Sequence, residues 1–190
     1  MKKTIGVMGN LGSFSEEAAL HYCQKNKIKD YEFSFLVTAE RVLSALSKGE
    51  VDLGIFPIEN SNGGIVYESV YAMSKNNFAI KEFFEIDVKH NLLVKPGTKV
   101  SEINTISSHP QALKQCRMYL KRQWSETELQ EYSDTASAAK DLGSGVLPKT
   151  TAVIAPRKSA EIYKLDILEE GIQDLKFNFT TFIAATKDED

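Results

Sequence analysis

Small polar side chains and glycines collect in four short segments, each of which follows a predicted β-strand. The segments are residues 9–15 (GNLGSFS), 57–64 (PIENSNGG), 107–111 (SSHPQ) and 133–135 (SDT). Hydroxyls, amides and the backbone N–H groups at the start of a helix attract negatively charged ligands. The pattern therefore predicts a site for a small polyanion such as a dicarboxylate, which would suit an enzyme or a non-catalytic small-anion-binding module.

Each segment also has a purely structural interpretation, namely a turn followed by a helix cap, with Ser15 as a possible cap of the first helix. The first segment lacks both GxGxxG and a Walker lysine, which disfavours a nucleotide ligand. His109 has no carboxylate placed beside it, so packing is favoured over general-base catalysis. Cys116 is expected in the core, because no base that would activate its thiol is evident.

The chain has no sequence signature of a metal site or a disulfide. Its three histidines, His21, His90 and His109, are scattered, and His21 and His90 are expected at the surface or at a hinge. Cys23 and Cys116 form no CxxC pair, so we expect two buried free thiols.

The elements that must position the four segments alternate between strand-like and helix-like patterns. Strands are predicted at 4–8, 31–37, 51–56, 105–107, 128–132, 151–155, 165–168 and 179–185. Helices are predicted at 15–25, 65–73, 110–122, 135–142 and 156–163. A further helix is predicted from a cap at Thr38 to a stop at Gly49. Pro57 should end the third strand, and residues 78–94 form one long extended stretch.

This βαβ alternation predicts an α/β fold with parallel sheets that carry helices on both faces. Because the long extended stretch could carry the chain from one lobe to another, we predict two doubly wound lobes with a ligand cleft between them. Lobe 1 would contain residues 1–77 plus 169–190, and lobe 2 residues 78–168.

Length and charge disfavour several classes of protein. The 190 residues suit one globular unit or two small lobes, and the net charge of −3 offers no basic surplus for binding nucleic acid. No apolar run approaches the ~20 residues of a membrane span. Residues 4–8 are typical of a first strand and too short for a signal-peptide core. The cytoplasm is therefore the expected compartment, with no nucleic-acid or membrane partner.

Four sequence blocks, in order, resemble the catalytic domain of prephenate dehydratase. They are GSFS at 12–15, PIENSNGGIV at 57–66, SHPQALKQC at 108–116 and DTASAA at 134–139, and the similarity extends from Thr4 to about Phe182. The resemblance implies a type-II periplasmic-binding-protein-like fold, which agrees with the alternation. It also implies decarboxylating dehydration of prephenate to phenylpyruvate in L-phenylalanine biosynthesis, by a lyase that needs no cofactor and forms a homodimer or larger homo-oligomer.

The resemblance also assigns roles to particular residues. The threonine that acts on the leaving hydroxyl corresponds to Thr180, which is the expected catalytic residue. Asn60, Ser108 and Gln115 would line the substrate pocket by the same resemblance. The polar segments and the terminal motif add further candidates for substrate binding, which are Ser13, Ser61, Gly64, His109, Gln111, Thr135 and Thr181.

The sequence departs from the family pattern in two places. The family's terminal motif is Asn-x-Thr-Arg-Phe, and this chain has Thr181 in place of the arginine. Most bacterial members also carry a phenylalanine-sensing ACT domain, which is expected to be missing here, either naturally or by truncation. These departures leave open a non-aromatising prephenate decarboxylase of a specialised, antibiotic-type pathway. An arogenate dehydratase is a further alternative that the sequence leaves open.

Overall fold

Two separate β-sheets organise the chain in the computed structural model, which describes residues 2–188. The strands are β1 (Lys3–Val7), β2 (Tyr31–Phe35), β3 (Leu53–Asn60), β4 (Gly64–Ile65), β5 (Ala79–Asp87), β6 (Asn91–Val94), β7 (Thr105–Ser108), β8 (Glu128–Glu131), β9 (Thr151–Ala155), β10 (Asp166–Glu169) and β11 (Phe179–Thr186). The α-helices are α1 (Phe14–Lys25), α2 (Ala39–Lys48), α3 (Tyr67–Lys75), α4 (Pro110–Gln115), α5 (Arg117–Gln123), α6 (Thr135–Ser144) and α7 (Arg157–Tyr163), and a short 3-10 helix spans Val100–Glu102.

The chain divides into two compact units, which differ in extent from the predicted lobes. Unit 1 contains the residues up to Asp87 and those from Phe179 onward, and unit 2 contains Val88–Asn178. Both divisions lie ten residues beyond the predicted boundaries at 77/78 and 168/169. The reason is that β5 pairs with β11 along its length, so the first half of the predicted crossing stretch belongs to the first sheet.

The sheet of unit 1 has the strand order β2-β1-β3-β11-β5, with β4 beside β3. Strands β1, β2 and β3 run parallel, as predicted, whereas β11 runs antiparallel to both of its neighbours. Successive residues of a strand face opposite sides, so Phe182 packs in the apolar layer with Tyr22 of α1, and Ile183 packs in the layer with Leu46 of α2. Helices therefore cover both faces, which confirms the α/β prediction for this unit.

The sheet of unit 2 has the order β10-β6-β9-β7-β8 and is also mixed. Strands β7, β8 and β9 run parallel, while β6 lies antiparallel between β9 and β10. Leu92 packs on one face with Leu120 of α5, and Leu93 packs on the other with Leu142 of α6. The expectation of parallel sheets is thus wrong in part, because β4 and β11 in unit 1 and β6 in unit 2 run antiparallel to their neighbours.

Local signals predicted some boundaries and missed others. Thr38 caps α2, and Gly49 ends it in the left-handed conformation, as predicted. The cap of α1 is Ser13 and not Ser15, since the Ser13 hydroxyl accepts from the amide of Glu16 at 3.3 Å. Strand β3 continues through Pro57, because a register irregularity opposite Phe182 accommodates a residue that has no N–H to donate.

The predicted helix at 110–122 is two helices that meet at Cys116. The carboxylate of Asp174 accepts from the amides of Met118 and Tyr119 at 2.8 and 2.9 Å, and so caps α5 independently of α4. Strand β4 and the 3-10 helix were not predicted. Every helix within residues 2–188 is too short or too polar to cross a lipid bilayer.

Candidate active site

Asn60 and Thr180 lie side by side in unit 1, at the end of β3 and the start of β11. The Asn60 Nδ2 group donates to Thr180 Oγ1 at 2.8 Å and to the carbonyl oxygen of Phe179 at 3.2 Å. The Asn60 Oδ1 atom accepts from the amides of Asn62 and Gly63 at 3.0 and 2.7 Å. These two backbone donors hold the amide oxygen in the turn, which directs the amide nitrogen at Thr180.

The hydroxyl of Thr180 is an acceptor in this arrangement. Thr180 is largely buried, with 8% of its surface exposed. Within residues 2–188 no group accepts the proton of its hydroxyl. Ser61 adjoins the pair, because its amide donates to the Phe179 carbonyl at 2.8 Å and its hydroxyl accepts from the Phe179 amide at 3.0 Å. Unit 1 thus brings three of the predicted residues, Asn60, Ser61 and Thr180, into one cluster.

Gly64 and Ser13 have clear backbone roles in unit 1. Gly64 starts β4 with φ +79°, and a Cβ added there would meet nothing within 4 Å, so the backbone conformation and not a close approach requires glycine. The Ser13 amide donates to the carbonyl of Asn10 at 3.1 Å, and the Gly12 amide donates to the carboxylate of Glu16 at 2.5 Å. Both of these amides at the start of α1 are therefore bonded within the chain.

Thr181 faces the other side of the sheet from Thr180, as the alternation of β11 requires. Its neighbours in register are Glu59 of β3 and Glu85 of β5, and its hydroxyl donates to Glu85 Oε1 at 3.2 Å. The structure therefore does not bring Thr181 into the cluster of Asn60, Ser61 and Thr180.

Ser108 lies at the end of β7 in unit 2 and is completely buried. Its hydroxyl donates to the carbonyl oxygen of Ile154 in β9 at 2.6 Å. The preceding Ser107 is equally buried, and its Oγ has no hydrogen-bond partner within residues 2–188. The proton of Ser108 is therefore used to connect two strands.

The starts of α4 and α6 hold three more predicted residues. His109 caps α4, where its Nδ1 atom accepts from the amide of Gln111 at 3.2 Å. Gln111 is half-buried, and its Nε2 atom has no partner within the described chain. Thr135 is the first residue of α6, and the cap is Asp134, which accepts from the amide of Ser137 at 2.8 Å. The helix cap predicted in the segment 133–135 is thus confirmed.

Gln115 contacts two residues whose importance the sequence analysis missed. Its Oε1 atom lies 2.7 Å from His90 Nε2 and 3.0 Å from Asn178 Nδ2. His90 is 4% exposed, so the surface alternative expected for it is wrong, whereas it lies close to the division between the units at Val88. Burial lowers the pKa of its imidazole. The apolar residues on both sides of His90, in 83–88 and 91–94, are the signal that could have predicted its burial.

The two thiols are buried and free, as predicted. Burial raises the pKa of Cys23 to about 11, and burial together with the charge of Asp174 raises the pKa of Cys116. Both thiols therefore stay protonated at neutral pH, which argues against a nucleophilic role. Among residues 2–188, no three histidine, cysteine or acidic side chains converge in a way that could hold a metal ion.

The fold and the site define the class of this protein, which is an α/β protein with clusters of polar residues at the ends of its strands. The chain matches the family model described as prephenate dehydratase over residues 5–190, and it belongs to that family. Its fold is also similar to that of a periplasmic substrate-binding protein of an ABC transporter, at a TM-score of 0.51 and 12% identity, which shows the fold alone.

Among curated relatives, the chain is 32% identical over 187 residues to arogenate dehydratase/prephenate dehydratase 6, chloroplastic, from Arabidopsis thaliana, covering 97% of this chain and 43% of that protein. It is 31% identical over 179 residues to the bifunctional chorismate mutase/prephenate dehydratase of Stutzerimonas stutzeri, covering 94% and 47%. The chain thus spans less than half the length of these relatives.

Among solved structures, the prephenate dehydratase of Arthrobacter aurescens in complex with L-Phe is 27% identical, with a TM-score of 0.85. The match covers 98% of this chain and 61% of that one. This agreement confirms the fold and the family that the four sequence blocks predicted.

Proposed function

We propose that this chain is a prephenate dehydratase, a carbon–oxygen lyase that converts prephenate to phenylpyruvate, carbon dioxide and water in L-phenylalanine biosynthesis. Membership of the family supports the reaction class. The observation that carries the proposal is the 2.8 Å hydrogen bond from Asn60 Nδ2 to Thr180 Oγ1. That bond occupies a lone pair of the hydroxyl and leaves its proton to be donated to a ligand.

The reaction breaks two bonds of the cyclohexadiene ring. The bond to the ring carboxylate breaks and releases carbon dioxide, and its electron pair forms a ring double bond as the carbon–oxygen bond of the hydroxyl breaks. The departing hydroxide takes up one proton and becomes water, and the ring becomes aromatic. The products balance without an external oxidant or reductant, so we propose no redox cofactor.

Thr180 would act on the departing oxygen. A hydrogen-bond donor aimed at the place where negative charge develops stabilises the transition state more than the ground state. The hydroxyl of Thr180 is such a donor, because Asn60 directs its own amide nitrogen at the oxygen. We propose that Thr180 is the catalytic residue and that Asn60 orients it.

The substrate is a dianion, so its binding needs hydrogen-bond donors. We propose Asn60, Ser61 and Gly64 of unit 1 as positions along the substrate. In unit 2 we propose the side chains of His109, Gln111, Gln115 and Thr135 as further substrate-binding groups. Ser13 and Ser108 would contribute by holding the backbone, since both hydroxyls are used within the chain.

The decisive experiment is incubation of the purified protein with prephenate, followed by mass analysis of the product. Phenylpyruvate supports the proposal. A product that has lost carbon dioxide but kept the water would instead establish a non-aromatising decarboxylase. Binding without turnover would establish an anion-binding module.

Arogenate is a second candidate substrate, because the relative from Arabidopsis thaliana is named for both activities. It differs from prephenate in carrying an amino group where prephenate has a keto group. Comparison of kcat/KM for the two substrates decides between them. We also propose that the protein is a cytoplasmic homo-oligomer. Light scattering would measure the mass of the oligomer.

A further inference from the structure

Helix α3 of unit 1 has an inner face that packs on the first sheet. Ser69, Ala72 and Met73 follow the i, i+3, i+4 spacing that places side chains on one side of a helix. The hydroxyl of Ser69 donates to the carbonyl oxygen of Pro57 at 2.6 Å, and Ala72 and Met73 belong to the apolar layer that α2 shares. This face therefore fixes the helix on the sheet.

The outer face of α3 is also apolar, although it lies at the surface of the chain. Tyr67, Val70 and Tyr71 repeat the same spacing on the opposite side of the helix, and they are 69%, 41% and 67% exposed. Each of the other helices within residues 2–188 exposes at most one large apolar side chain. We call Tyr67, Val70 and Tyr71 the α3 patch. A group of exposed apolar side chains of this kind is typical of an interaction surface, and tyrosine is enriched in such surfaces.

Two opposite charges flank the α3 patch, one towards each end of the helix. Glu68 lies three residues before Tyr71 and Lys75 lies four residues after it, so both lie along the same edge of the patch. Lys75 Nζ lies 3.3 Å from Glu40 Oε2 in an exposed ion pair, whereas Glu68 has no ion-pair partner within residues 2–188.

This distribution of charge is self-complementary. If two copies of α3 pack antiparallel with Tyr71 beside a two-fold axis, Glu68 of each copy faces Lys75 of the other. An isologous contact brings each such pair together twice. A parallel arrangement would instead place like charges at the same level. The charges also disfavour a lipid surface as the occupant, because the patch has no excess of basic residues to attract anionic headgroups.

We propose that the α3 patch is a contact surface between two copies of this chain, whose α3 helices pack antiparallel about a two-fold axis. The inference locates the homo-oligomer contact proposed above and does not depend on the reaction that the protein catalyses. A standard interface buries ~800 Å² on each partner, which exceeds one face of a nine-residue helix. We therefore expect neighbouring residues to join it, among them Ile65, which is 54% exposed in β4 directly before the helix.

The first test measures mass against concentration by sedimentation equilibrium. Tyr71→Lys places two positive charges beside the axis and removes an aromatic anchor, so we expect the dimer Kd to rise at least ~30-fold. Met118→Lys is the matched control, because Met118 is 54% exposed in α5 of unit 2 and should leave Kd unchanged. Circular dichroism verifies that both variants fold. A monomeric wild-type chain, or a dimer that Tyr71→Lys leaves intact, would overturn the inference.

The second test exchanges the flanking charges. Glu68→Lys and Lys75→Glu each place like charges opposite one another, and each should raise Kd ~3-fold or more. The double variant Glu68→Lys/Lys75→Glu should return Kd to within ~3-fold of wild type. The two residues lie about 10 Å apart along one helix, so the recovery must come from pairing across the interface. A double variant that dimerises no better than the single variants would overturn the antiparallel arrangement.

Both tests measure mass and not turnover, which separates them from the test of the proposed function. A wild-type chain that dimerises through the α3 patch without converting prephenate would support this inference and overturn the proposed reaction. A chain that converts prephenate as a monomer would overturn this inference and support the reaction.

Discussion

Thr180 in unit 1 and Ser108 in unit 2 are both hydroxyls that the family resemblance points to, and their hydrogen bonds run in opposite directions. Thr180 accepts from the amide of Asn60, whereas Ser108 donates to the carbonyl of Ile154. The first hydroxyl keeps a proton that can be given to a substrate, and the second uses its proton to join two strands. We therefore propose that the direction of its hydrogen bond indicates whether a hydroxyl in such a motif serves chemistry or the fold.

The largest effect is expected for Thr180→Ala. Loss of a donor aimed at developing negative charge costs on the order of 100-fold or more in turnover, so kcat should fall by about that factor while KM changes little. Thr180→Ser keeps the donor and serves as the matched control. An unchanged kcat for Thr180→Ala would remove Thr180 from the mechanism and abolish the contrast with Ser108.

The second prediction concerns the other hydroxyl. Ser108→Ala removes the hydroxyl that donates to the buried carbonyl of Ile154, which costs about 1–3 kcal/mol of unfolding free energy, and kcat of the folded enzyme should fall less than ~10-fold. Urea denaturation and kinetics measure the two quantities. Ser107→Ala is the control, because its oxygen has no partner within the described residues, so stability should hardly change. A kinetic loss for Ser108→Ala as large as that of Thr180→Ala would contradict the comparison.

A third prediction uses pH to probe the buried cluster of unit 2. Burial lowers the pKa of His90 in the folded state, so the unfolded chain binds a proton at a higher pH than the folded chain does. The stability that neutral His90 contributes is thus fully present above the pKa of the histidine in the unfolded chain, which is about 6.5. It is lost as the pH falls below that value towards the lower pKa of His90 in the folded protein. Thermal unfolding of wild type and His90→Gln between pH 7 and pH 5 should show a smaller loss of Tm in the variant. Parallel curves would mean that His90 is not the group responsible.

The smallest effect is expected for Thr181→Arg, which restores the family arginine. The residue faces Glu59 and Glu85 on the side of the sheet away from Thr180, and a surface ion pair there is worth about 0.2–1 kcal/mol. We expect a slight gain in Tm and a change in kcat below ~3-fold. Thr181→Lys is the control for charge alone. A large gain in kcat would mean that the arginine reaches the reacting groups from this face.

Particular residues show how far the sequence predicts this fold and site. Thr38 and Gly49 predicted the bounds of α2, because caps depend on neighbouring residues in the chain. Pro57 was misjudged because β11, far along the chain, provides a register that tolerates it. The break at Cys116 was missed because the group that caps α5 is Asp174, which lies 56 residues from Met118.

What the sequence alone determined is the alternation of strands and helices, the four polar segments and the family, since all of these are local patterns of residue type. Only the tertiary structure decided that β11 runs antiparallel, that Asn60 meets Thr180 across 120 residues, and that His90 and Asn178 hold Gln115. The physical reason is that the direction of a hydrogen bond depends on strand register and burial. These arise from pairing between distant segments, which local spacing does not encode.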